Sequence, residues 1–411
     1  MSMINAYSPG ADIDPADLQL IARREAVLGP AYRLFYERPV HVVRGEGVWL
    51  YGPDGEAYLD AYNNVACVGH SHPRVVEAIA RQAATLNTHT RYLNELVVDY
   101  AERLAATLPA EVGRLMFTCT GSEANDLALR IACARTGGRG VIVTENAYHG
   151  VTAAIAELSP SLGPANPLGG HVRTVPVGEG FAAAVRAAVA DLQAQGVRPA
   201  ALLVDTIFAS DGVLPEQPGM AEAVAAVRAA GGLFIADEVQ AGFARTGDAM
   251  WGFQRHGLSP DLVTMGKPMG AGHPIAGVAA RPEVVETFGR EVRYFNTFGG
   301  NPVSCAAGLA VLQVIEDEGL QANSQAVGKY LRERLQALAH PLLGEVRGAG
   351  LFLGVELPDA VQAARVVQGL RERRVLISAT GPRGDVLKIR PPLVFSRANA
   401  DQFVDALAAV L

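Results

Sequence analysis

Cysteine is scarce in this chain. Cys67, Cys119, Cys133 and Cys305 stand far apart and form no CxxC pair, which excludes a disulfide scaffold and leaves reduced core thiols in the cytoplasm as the expectation. No apolar stretch approaches the roughly 20 residues of a membrane span, and the polar start MSMINAYSPGADID does not read as a signal peptide. A basic run is also missing: 35 basic residues are outnumbered by 42 acidic ones, giving a net charge of −7. With the charges spread throughout, neither a nucleic acid nor a membrane surface is expected as a partner. His70 and His72 lie two apart without a further Cys, His or carboxylate cluster, so no metal is expected. No GxGxxG follows the first strand, which removes a dinucleotide-binding reading. Internal repeats and low-complexity tracts are lacking too.

What remains is a 411-residue chain with 49% hydrophobic residues and 44 glycines, the composition of an α/β enzyme with a large and a lesser lobe. Its centre of gravity is the stretch 233–274. Leu233, Phe234, Ile235 and Ala236 form a short apolar run that predicts a buried strand, with Asp237 and Glu238 directly behind it. A second run, 262–265, leads through Gly266 to Lys267, flanked by glycine and proline. Ligands of open α/β sheets sit beyond the carboxyl ends of the strands. One strand thus delivers an acid to that crevice and another an amine. An amine in an apolar, Gly-rich turn loses solvation, becomes nucleophilic and suits a Schiff base with an aldehyde. An acid opposite it could hold the protonated ring nitrogen of pyridoxal phosphate. Taken singly, an Asp at a turn and a solvated Lys are commoner, so the companions decide.

The N-terminal part predicts a helix ending at Gly29-Pro30, then strands over 41–62 around the turn Pro53-Asp54-Gly55. Residues 75–108 read as mostly helical. The run RLMFTC (114–119) predicts a strand entering Thr120-Gly121-Ser122-Glu123, which has capping-box spacing before an apolar helix face at Ala124, Leu127, Ala128 and Ile131. A strand, a small-residue turn and a helix start make an anion site, although ordinary βα turns look the same. Further strands end near Tyr148 and His149 and at Asp205. An aromatic ring at such an edge could stack on a flat heterocycle. Five strand ends therefore supply an anion cradle, an aromatic ring, two acids and an amine to one rim. After 296–312, a loop opening a long helix, the C-terminal part reads as strand pair, amphipathic helix, short strands and final helix.

Assembled, ADEVQ, MGKPMGAGHP, TGSEAN, AYHG and NTFGGNP resemble the class III aminotransferases, over nearly the whole chain. The resemblance implies the α/β architecture of pyridoxal-phosphate fold type I: a mostly parallel sheet in a large domain (61–300), with a smaller α+β domain drawn from both termini (1–60 and 301–411). It implies pyridoxal 5'-phosphate as cofactor, Lys267 as its Schiff-base lysine and Asp237 as partner of the pyridine nitrogen. Val239 would pack against the ring, Gln240 lie near its hydroxyl, Gly121 and Ser122 hold the phosphate and Tyr148 stack, with His149 and Asp205 also lining the cofactor. Thr297 would reach the phosphate of a neighbouring subunit, since the family builds its active site across a homodimer interface.

Two departures bear on substrate. Where many ω-aminotransferases read EP…E, this chain reads DTIFASDGV, with Asp205 for the first acid and Ser210 at the later Glu. The place of the substrate-carboxylate arginine in LKIRPPL is held by Lys388, with Arg390 two residues on. Cations without the gating glutamate suit a terminal dianion. The segments YLDAYNNVACVGHSHP, LNTHTRYLNE, GAGHP and YFNTFGGNPVSCA are similar to the ethanolamine-phosphate phospho-lyases, which implies a small phosphorylated amine as substrate, eliminated to an aldehyde, ammonia and phosphate. Lys388, Arg390, Tyr32 and Asn63 are the candidate substrate contacts. The rivals are a class III ω-aminotransferase, sharing every cofactor residue, and a cofactor-binding protein without catalysis, against which the Lys267–Asp237 combination argues.

Overall fold

In the computed structural model, which describes residues 6, 7, 9, 10 and 12–411, a seven-stranded sheet forms the main layer. Its order is Arg114–Thr118, Ala276–Ala280, Leu262–Met265, Leu233–Asp237, Pro199–Asp205, Gly140–Thr144 and Val172–Val175. The five strands from Leu262–Met265 to Val172–Val175 run parallel, whereas Ala276–Ala280 pairs antiparallel with both neighbours. Their near-continuous apolar sequences follow from burial on both faces. Successive side chains of a strand point to opposite faces. Ile142, Leu202, Val204, Phe234, Ala236 and Val263 accordingly enter one core, and Val141, Val143, Ala201, Leu203, Ile235 and Leu262 the other.

Register then sets the site. Asp205 pairs with Asp237, and Asp237 with Thr264, so three adjacent strands end in line. Lys267 follows two residues beyond the third of these strands.

A second core joins the two ends of the chain. Strand Ala57–Asp60 takes Val375–Leu376 as a parallel neighbour, with Leu59 opposite Val375. A further four-stranded sheet contains Val346–Ala349, Phe352–Glu356, Val386–Ile389 and Ser378–Thr380. Tyr58, Leu59, Leu353, Leu387, Ile389 and Phe403 share this core. Helix Pro302–Asp317 gives its buried side to the large core instead. The helical reading of 75–108 resolves into Pro73–Thr85 and Glu95–Ala105 with a connector between them. No helix among the described residues is long and apolar enough to cross a membrane.

Candidate active site

Helix Gly121–Thr136 begins directly after the first strand of the large sheet and carries a complete capping box. The Thr120 hydroxyl accepts from the Glu123 N–H at 3.2 Å, and the Glu123 carboxylate accepts from Cys119 and Thr120 N–H at 2.8 and 3.0 Å. This occupies the N–H groups around the cap and leaves those of Gly121 and Ser122 at the positive helix end for an anion. Gly150 closes against the cradle. Its φ is 141°, and a Cβ there would lie 2.5 Å from Ser122 Oγ, so only glycine fits. The Val151 N–H donates to the same Ser122 oxygen at 3.1 Å.

Asp237 is 3% exposed and held on both oxygens. His149 Nδ1 (2.7 Å) and Asn125 Nδ2 (2.9 Å) donate to Oδ2, while the Val239 N–H donates to Oδ1 at 3.1 Å. Asn125 is oriented in turn, donating to the His149 carbonyl at 2.7 Å and accepting from Thr264 Oγ1 at 2.7 Å. His149 Nε2 is buried without a partner. Val239 lies under the cradle, 3.0 Å from where a Gly121 Cβ would stand. Burial lowers the Lys267 amine below the ordinary lysine range; Arg390 adds to this, and Asp237 and Asp205 work against it. Tyr148 is 39% exposed at the rim, its phenol raised by burial and then by Asp237.

Gly121, Ser122, Tyr148, His149, Asp205, Asp237, Val239, Gln240 and Lys267 line one cavity, together with Asn125 and Gly150. Thr297 is exposed outside it, on a loop with Phe298 70% exposed. The other candidates disperse. Arg390 donates from Nη1 to Gln240 Oε1 at the cavity wall. Lys388 is 7% exposed, its amine pushed well below the usual range by burial and then by Arg390, with Asp205 and Asp211 as opposing charges. The absence of a gating glutamate thus does not leave Lys388 without opposing charge: Asp205 and Asp211 act on it. Asn63 is half-buried, its N–H bonded to Asp60 at 2.9 Å, and Tyr32 is 65% exposed near the N-terminal helix. His70 and His72 turn to different partners, Asp60 and Glu318.

Sequence reasoning overlooked Asn125 and Asp211. Asn125 stands one helical turn after Gly121, on the cradle's own face, a spacing that could have marked it. Asp211 is buried beneath the site, bonded by Thr144 Oγ1 at 2.8 Å, and burial pushes its carboxyl up to about 6.

The donor set fits pyridoxal 5'-phosphate. Two free helix N–H groups suit its phosphate, an oriented buried acid its ring nitrogen, a desolvated amine its aldehyde, and Val239 and Tyr148 its two faces. Fold and site together define a fold type I pyridoxal-phosphate enzyme. The chain belongs to the class III aminotransferases, whose family model matches residues 35–411. It is similar to the alanine–glyoxylate aminotransferase 2-like protein of Drosophila melanogaster, at 40% identity over 96% of this chain and 87% of that one. It is also similar to ethanolamine-phosphate phospho-lyase homolog 1 of Caenorhabditis elegans, at 37% identity over 96% and 93%. Among solved structures, a phospholyase from Arthrobacter in complex with phosphoethanolamine superposes with a TM-score of 0.92 at 46% identity, covering 95% of this chain and 99% of that one.

Proposed function

We propose that this protein is a phospho-lyase that eliminates phosphate from a small phosphorylated amino alcohol such as O-phosphoethanolamine, giving acetaldehyde, ammonia and phosphate with uptake of one water. The observation that carries this reading is Arg390, bonded through Nη1 to Gln240 of the cofactor cavity, in a chain whose gating glutamate is replaced by Ser210. The Arthrobacter phospholyase with phosphoethanolamine bound supports it.

When bound, the cofactor supplies an electron-accepting ring to the carbon that carries the substrate nitrogen. The protein does the rest. Asp237, oriented by His149 and Asn125, would hold the ring nitrogen. Gly121 and Ser122 anchor the cofactor phosphate, and Val239 and Tyr148 confine the ring. Lys267, its amine freed by substrate and lowered below the ordinary lysine range by burial, takes the proton from the carbon bearing nitrogen. Phosphate is a far better leaving group than hydroxide, so the electron pair left behind expels it from the neighbouring carbon. A cation at the wall receives the departing charge.

We further propose a homodimer with an active site completed by Thr297 of the second copy. The exposed Thr297 and its neighbour Phe298, close in sequence to Phe295 under Arg91 at 3.7 Å, support this, as do Tyr92 (65%) and Leu93, both largely exposed. The free cysteines suit a reducing, cytoplasmic setting. The second reading, an ω-aminotransferase moving an amino group from an amine to a 2-oxo acid, is favoured by the Drosophila relative. Incubation of the loaded protein with phosphoethanolamine alone tests the proposal. Equal amounts of phosphate and acetaldehyde are expected, and absence of both counts against it.

A further inference from the structure

The segment 145–152 joins strand Gly140–Thr144 to the short helix Ala153–Ala156 and presents Tyr148, His149 and Gly150 to the cofactor cavity. It contains no helix or strand, so its buried backbone groups depend on side chains for partners. Those partners come from several elements. Asp211 Oδ1 accepts from the Asn146 N–H at 3.3 Å, Asn125 Nδ2 donates to the His149 carbonyl at 2.7 Å, and Ser122 Oγ accepts from the Val151 N–H at 3.1 Å. Ser161 donates to the Ala147 carbonyl through its N–H at 3.2 Å and its Oγ at 3.0 Å.

A further tether is Ser159, which is fully buried. Its Oγ accepts from the His149 N–H at 3.0 Å and donates to the Ile155 carbonyl at 2.8 Å, with the Gly150 carbonyl farther off at 3.3 Å. A hydroxyl has one proton, and the shorter contact, to the carbonyl four residues back, takes it. A lone pair of Oγ is thereby left facing the His149 N–H. The imidazole beyond it makes one hydrogen bond, from Nδ1 to Asp237 Oδ2 at 2.7 Å, and its Nε2 has no partner. The ring is therefore located by Asp237 at one end and by its own backbone at the other. Asn125 holds that backbone by the carbonyl and also bonds Asp237 directly, whereas Ser159 reaches the acid only through His149.

We propose that Ser159 is a positioning residue of the cofactor site: its hydroxyl fixes the His149 backbone so that the imidazole keeps its Nδ1–H on Asp237, and through that donor it sets how the acid meets the ring nitrogen. The proposal rests on Asp237 as the partner of that nitrogen. It is independent of whether the substrate loses phosphate or an amino group. Ser159 does not line the cavity and acts from behind it.

The test titrates the apoprotein with pyridoxal 5'-phosphate and follows the imine absorbance of the loaded protein against pH. It compares Ser159→Ala, Ser159→Thr, His149→Phe and the double variant of Ser159→Ala with His149→Phe, with far-UV circular dichroism as the check on folding. His149→Phe keeps a ring and removes the donor. Ser159→Ala orphans the His149 N–H and is expected to weaken cofactor binding by about 10-fold, and His149→Phe by about 30-fold. Both are expected to raise the pH at which the imine titrates, because a carboxylate that has lost a donor favours a nearby positive charge more strongly. The double variant is expected to match His149→Phe within about threefold, since one residue acts through the other. Ser159→Thr keeps the hydroxyl and is expected to stay within about threefold of wild type. A double variant near the product of the single effects, or a wild-type imine titration in Ser159→Ala, marks a brace for the fold alone and overturns the proposal. If Ser159→Ala does not fold, Ser159→Cys, close in size with a weak acceptor in place of a strong one, enters the same cycle and is judged by the same outcomes. Unchanged cofactor affinity in His149→Phe overturns both the proposal and the reading of Asp237, whereas a change confined to His149→Phe overturns the role of Ser159 alone.

Discussion

Lys267 and Asp237 face each other through a cavity in which each residue has a distinct environment and therefore a distinct task. In the proposed scheme Lys267→Ala removes both the covalent hold on the cofactor and the proton acceptor. Turnover is expected to fall by about 10³-fold or more, with loss of the imine absorbance in the visible region, read on the same sample. Asn125→Ala leaves Asp237 with one donor fewer and His149 without its carbonyl partner. Hydrogen bonds to charged groups contribute about 1.5–3 kcal/mol, so cofactor affinity is expected to drop by roughly 10- to 100-fold in a titration of the apoprotein. Glu238, behind Asp237, is a structural counterpart. Thr206 Oγ1 and the Gly252 and Phe253 N–H groups bond it at 2.6, 2.7 and 2.8 Å, yet burial pushes its carboxyl up from 4.5 to about 7. Between those values the folded protein holds a proton that the unfolded chain has released, so this group's contribution to stability falls as pH rises from 4.5 through about 7. Glu238→Gln carries no such proton. Denaturant unfolding at about pH 5 and pH 8 is expected to show a smaller loss in the variant, by up to about 3 kcal/mol at about 1.4 kcal/mol per pKa unit.

Elements rather than single residues explain how much could be read in advance. The strands ending at Asp205, Asp237 and Met265 were legible because each is an apolar run bounded by chemistry-bearing residues, and the helix from Gly121 because its cap spells out Thr120-x-x-Glu123. Strands Val172–Val175 and Ala276–Ala280 were not. The first places Arg and Thr between its valines, and AGVAA is small and featureless; both are strands because neighbours pair with them, not through local preference. The cap also gives a prediction at this scale. Thr120→Ala is expected to cost about 1 kcal/mol of stability in a denaturant melt, and it loosens the helix end proposed to hold the cofactor phosphate.

Across the whole molecule, the site depends on contacts the sequence pattern cannot announce. Arg390 meets Gln240 across 150 positions and Asn125 meets Asp237 across 112, so neither contact has a periodicity. The resemblance named the family, and the register of three strand ends brings Asp205, Asp237 and the segment before Lys267 to one rim. The proposed second copy belongs to this scale as well. Leu93→Asp, a charge set into the exposed patch, is expected to shift the protein towards monomer in light scattering and to lower activity with it, because Thr297 would no longer reach its neighbour. The outcome of the reaction turns on where the electron pair goes once the proton has left the substrate. The most direct measurement offers phosphoethanolamine and pyruvate together to the loaded protein and quantifies phosphate, acetaldehyde and alanine. Phosphate and acetaldehyde in equal amounts, with no alanine, is the result expected; alanine accumulating while the phosphate stays bound to carbon would contradict it.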